Sequence, residues 1–165
     1  MRSLLQVLAV ALLAGCATTE PPKPEFGIKE DWSGTGIRRY AVRTAGIPIN
    51  KRYGELTAEQ RAIILNWYEK LEPGDEPPFP AEGLKPVHEA ILRGQTRALV
   101  EGQLLLLASV SSSGDVDSVK IFRSPSAPMT EYVSGVLMLT KFKPALCGGV
   151  PCRMEYPFTF TFEVR

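Results

Sequence analysis

From Arg153 to Arg165 the chain alternates without a break. Met154, Tyr156, Phe158, Phe160, Phe162 and Val164 fall on one side; Arg153, Glu155, Pro157, Thr159, Thr161 and Glu163 fall on the other. Successive side chains of a strand point to opposite faces. The run therefore predicts a long strand with one apolar face, which needs a sheet beside it and a second layer over it.

Two more period-two runs lie upstream. Leu104, Leu106, Ala108 and Val110 alternate along a first strand, Ser113-Gly114-Asp115 marks a turn, and Val116, Val119 and Ile121 mark a second strand. Met129, Tyr132, Val133, Val136 and Leu137 then recur at helical spacing. Strand, strand, helix, strand is an α+β pattern. A right-handed crossover from the second strand to the third passes over the first, which predicts a three-stranded antiparallel sheet in the order 2-1-3 with a helix on one face. The third strand then lies on an edge. Pro157 suits that place, because proline within a sheet is mostly confined to edges.

Residues 53–100 predict a helical annex. Thr57 and Gln60 have capping-box spacing, and an Ile63-Trp67-Leu71 line extends the helix to about Leu71. Glu76-Pro77-Pro78-Phe79-Pro80 reads as an extended connector. Pro86 suits the first turn of a second helix carrying Val87, Ile91, Leu92 and Leu99 and ending near Glu101-Gly102. Leu105 and Leu107 point to the sheet face opposite Leu104 and Leu106, and the helix from Thr57 is the expected cover for them. Residues 16–52 hold a short proline tract, several glycines and no clear element; Trp32 and Tyr40 are candidates to dock on the folded part. Ser33-Gly34-Thr35-Gly36 lacks the Lys-Ser/Thr and the flanking strand of a phosphate loop.

The front end resembles a bacterial lipoprotein signal: Arg2, an apolar run from Leu4 to Leu13, then Leu13-Ala14-Gly15-Cys16. The run is shorter than the roughly 20 residues of a spanning helix. The resemblance implies a signal over residues 1–15, lipidation of Cys16, and a tether from residue 16 facing the periplasm. Ala17 in place of aspartate favours the outer membrane. Lipidation leaves an even pair, Cys147 and Cys152, and an oxidising compartment predicts that they form a disulfide. Four residues separate them and no helix start follows, so a structural staple is expected in place of a redox site.

Residues 101–165 resemble the C-terminal domain of TonB-type energy transducers. The matching pieces are Glu101-Gly102 with Leu104, Leu106, Ala108 and Val110; Gly114 with Val116; Val119, Ile121 and Ser124; Phe142-Lys143-Pro144-Ala145; and Tyr156-Pro157-Phe158-Thr159-Phe160. The resemblance implies capture of an extended peptide from an outer-membrane protein at the third-strand edge: Arg153, Glu155, Pro157, Thr159, Thr161 and Glu163. A lipid anchor in place of a transmembrane helix points to an adaptor, with TonB-dependent transport as the process that the resemblance implies. The alternative is a structural envelope lipoprotein whose fold is a scaffold without receptor binding.

Of 19 basic residues one, Arg2, lies in the signal, leaving 18 against 18 acidic. No basic block occurs, so nucleic acid is not an expected partner. The expected partners are an envelope protein or peptide and, through the lipid, a membrane. His88 is the single histidine. No catalytic, metal or cofactor residues are assigned, and an enzyme is not expected.

Overall fold

The computed structural model describes residues 26–28, 36–38 and 42–164. The signal at residues 1–15, lipidation of Cys16 and docking of Trp32 and Tyr40 fall outside them. The elements are β1 (Phe26–Ile28), α1 (Ala58–Leu65), β2 (Phe79–Pro80), α2 (Lys85–Ala98), β3 (Gly102–Val110), β4 (Val116–Arg123), α3 (Ala127–Leu139), β5 (Phe142–Lys143), β6 (Ala145–Cys147), β7 (Val150–Cys152) and β8 (Met154–Phe162).

The main sheet has four strands in the order β1-β4-β3-β8, not the three expected. β3 pairs antiparallel with β4 and with β8, while β1 lies parallel to β4, with Phe26 opposite Val119 and Ile28 opposite Ile121. A three-residue strand has no periodicity to read, so nothing in the sequence marked β1.

Cross-strand register places Leu104, Leu106, Ala108 and Val110 beside Phe160, Phe158, Tyr156 and Met154. This face carries the helices. His88 of α2 stands edge-on to Phe158 and Phe160, and α3 lies over β4 and β3 through buried Met129, Val133 and Leu137. The helical part and the sheet share one core, which runs from Ile37 through Trp67 and Phe79 to Phe162.

The capping box at Thr57 forms, with the Gln60 N–H on the Thr57 hydroxyl and the Thr57 N–H on the side-chain Oε1 of Gln60. The helix nevertheless stops at Leu65 instead of Leu71. The segment 36–38 takes the backbone groups that would have continued it: the Arg38 N–H donates to the Trp67 carbonyl (2.6 Å), and the Glu69 N–H to the Gly36 carbonyl (2.8 Å). An interstrand bridge joins Ile37 to Tyr68. Trp67 and Tyr68 thus leave the helix and turn inward.

The connector at 76–80 is also engaged. Phe79 and Pro80 pair with Lys143 and Phe142, and Glu76 exchanges both backbone hydrogen bonds with Leu146 (2.8 and 2.9 Å). Lys143 is held in turn by the Glu76 carboxylate at 2.9 Å and lies 4.7 Å from the centre of the Tyr53 ring. α2 runs from Lys85 with Pro86 in its first turn and ends at Ala98, three residues before the expected limit. Leu99 adopts a left-handed cap there, and the Gln95 side chain ties both backbone groups of Val100.

Trp67, on the segment expected to cover Leu105 and Leu107, packs edge-on to Tyr156 on the opposite, helix-bearing face. The face of Leu105 and Leu107 carries an arch instead. Lys120, opposite Leu107, meets Glu155, opposite Ser109, at 2.5 Å. The pair spans β3, and Leu107 on this face is 1 % exposed.

Candidate functional site

β8 ends the sheet, and among the described residues no strand lies beyond it. The direction of its backbone groups follows from one residue. Antiparallel pairs alternate between those that exchange both hydrogen bonds and those whose groups point away. Pro157 has no N–H, so its pair with Leu107 is of the second kind. The pairs Glu155–Ser109, Thr159–Leu105 and Thr161–Gln103 share its parity. Their β8 members therefore present N–H and C=O to the outside of the sheet.

The first part of that edge is already engaged. The Tyr68 hydroxyl donates to the Glu155 carbonyl at 2.9 Å, which agrees with the parity. Burial pushes the Tyr68 phenol well above its ordinary range, with the nearby Tyr156 ring adding to this; Tyr68 stays protonated and remains a donor. The Glu155 carboxylate is held by Lys120. Arg153 donates to the Ser109 hydroxyl (3.0 Å) and pairs with Asp117 (3.0 Å). Pro157 is buried and has only a carbonyl to offer.

Of the six expected edge residues, Thr159 and Thr161 thus stay together on the accessible half; Glu163 lies past the end of β8 at Phe162, and Arg153 and Glu155 bind within the chain. Thr159 and Thr161 keep both outward backbone groups. Tyr68 is the site residue that sequence reasoning missed, because a helix reaching Leu71 hid its turn toward β8.

Cys147 and Cys152 are bonded, their Cα atoms 5.8 Å apart. They staple a β6–β7 hairpin whose two turn residues, Gly148 and Gly149, have φ of 57° and 84°. Two successive left-handed residues are the type I′ turn that matches strand twist. The Gly148 N–H donates to Asp75 (2.8 Å), so the hairpin also leans on the connector. The pair stands on a hairpin and not at a helix start, where lowered thiol pKa values drive exchange.

His88 is half-buried and its Nε2 has no hydrogen-bond partner. Burial lowers its pKa from the ordinary 6.5. Among the described residues no group of histidine, cysteine, aspartate and glutamate could hold a metal ion. A groove of about 360 Å³ lies between the start of α2 and the end of α3, walled by Pro86, Val87, Val136 and Leu139. Its walls are mostly apolar, with Glu82, Thr140 and Lys141 also lining it. No family model and no curated protein matches the chain.

Proposed function

We propose that this protein is an envelope-anchored adaptor that captures an extended peptide by adding it as a strand to β8. The supporting observation is the outward pair of residues, Thr159 and Thr161, whose N–H and C=O groups have no strand partner among the described residues at a sheet edge. Unpaired edge groups supply affinity in strand addition, and neighbouring side chains supply selectivity. The resemblance of residues 101–165 to the TonB C-terminal domain, and of residues 1–16 to a lipoprotein signal, supports a partner in the cell envelope, with the lipid on Cys16 holding the protein at the outer membrane, facing the periplasm. In this reading the ligand segment belongs to an outer-membrane protein.

The test uses a capped hexapeptide alternating valine and threonine. Thr159→Pro removes one outward N–H and no internal ladder bond. Peptide affinity should fall by at least about tenfold while the circular dichroism spectrum stays the same. Unchanged affinity with an unchanged spectrum would favour the second reading, a structural envelope lipoprotein. That reading draws on Tyr68, which closes part of the edge from within. The anchor is tested separately: Cys16→Ala should abolish labelling by a fatty-acid analogue, and equal labelling would remove the lipid from the proposal.

A further inference from the structure

α2 gives the open stretch of β8 a wall of defined chemistry. One flank of the helix meets α3: the Tyr132 hydroxyl donates to the Ala90 carbonyl at 2.7 Å, and a Cβ on Gly94 would stand 2.5 Å from the Tyr132 ring. Going round the helix, Val87 and Ile91 enter the core, and His88 then meets Phe158 and Phe160 at 6.3 and 5.5 Å. Leu92 comes next, about 40° past His88 at 3.6 residues per turn. Leu99 is the left-handed residue that caps the helix, just before the chain returns to Gly102 opposite Phe162.

α3 covers β3 and β4, so the flank turned away from it lies over β8 and its free side. Leu92 and Leu99 are 52 % and 63 % exposed, and Phe160, which meets His88 of the same helix, is only half-buried. The other face of the same edge is polar: Thr159 and Thr161, with Gln103 and Arg123 hydrogen-bonded to each other behind them.

A strand added about 4.8 Å beyond β8 sends alternate side chains to these two faces. We infer that the captured segment is an alternating apolar–polar strand of another protein, its apolar side chains seated on Phe160, Leu92 and Leu99. This rests on the edge-binding reading above. The open backbone groups beside the leucines argue for a strand over a bilayer, since hydrocarbon leaves N–H and C=O groups unsatisfied.

Calorimetric titration of the purified protein compares the valine–threonine hexapeptide with an all-threonine one. The alternating peptide should bind at least about tenfold more tightly. Joint substitution Leu92→Ser and Leu99→Ser should bring the two affinities together, with the all-threonine affinity and the circular dichroism unchanged; both leucines are exposed, so the fold is retained. Equal affinities on the unsubstituted protein, both lost in Thr159→Pro, would overturn the apolar seat and leave edge binding standing. Absence of binding by either peptide, or binding that survives Thr159→Pro, would remove the edge reading and this inference with it. A concentration-dependent dimer abolished by Thr159→Pro, or vesicle binding through the leucines without a peptide preference, would assign the surface to a second copy or to lipid.

Discussion

Tyr68 closes one carbonyl of β8: its hydroxyl donates to the Glu155 C=O at 2.9 Å, joining residues 87 positions apart. Tyr68→Phe keeps the ring and removes this bond, leaving the carbonyl to water or a ligand. Stability should fall by about 1 kcal/mol, seen as a lower urea midpoint at constant slope. Peptide affinity should not fall, because the freed carbonyl lengthens the accessible edge.

Gly114 and Gly135 should respond oppositely to alanine. Gly114 has φ of 84°, and a Cβ there would lie 2.1 Å from the Phe142 carbonyl oxygen, while the Phe142 N–H donates to the Gly114 carbonyl at 2.8 Å. Gly114→Ala must strain the turn and push β5 away, for a loss of at least about 2 kcal/mol. Gly135 lies within α3 with open space where a Cβ would go, so Gly135→Ala should gain about 0.5–1 kcal/mol. Thermal unfolding of both variants checks the sign.

His88 sets a pH dependence. Burial lowers its folded pKa below the ordinary 6.5, so the unfolded chain binds more protons and stability rises with pH. The contribution is fully present above the unfolded pKa. It declines as pH falls below about 6.5 and stops declining below the folded value. His88→Leu should flatten that segment of a stability–pH curve measured by chemical denaturation. An equal slope in the variant would mean that another group titrates there.

Reduction tests the hairpin staple. The native protein should weigh two hydrogens less than its fully reduced form, and Cys147→Ser should lower stability by about 2 kcal/mol for so short a loop. Native thiol titration that finds both sulfurs reactive would contradict the bond.

Regular periodicity made much of the sheet legible. The alternation of Tyr156, Phe158 and Phe162 reports burial directly, and the Thr57–Gln60 box marks a helix start from local chemistry alone. The end of α1 was not legible, because Arg38 and Gly36 take its next backbone groups from outside, and a distant competitor leaves no trace in residues 66–71. Leu92 and Leu99 stand beside Val87 and Ile91 among the apolar residues of the second helix, yet both are exposed; the sequence carries their apolarity but not where α3 ends its cover. At the candidate site, Pro157 fixed the parity of the edge in advance, whereas its closure by Tyr68 depends on a turn that only tertiary pairing creates.

The ring of Tyr156 meets Trp67, Phe79 and Phe142 edge-on, at 5.9, 6.2 and 5.3 Å. Two of these three neighbours precede the strand–strand–helix–strand unit, which makes the boundary at residue 101 one of pattern and not of cohesion. A chimera that transplants residues 101–165 onto another tether would expose Tyr156 to water and leave Lys143 without Glu76. The smallest portable piece that preserves these contacts and all four strands of the main sheet begins before Phe26, so recombination upstream of that point leaves the edge undisturbed.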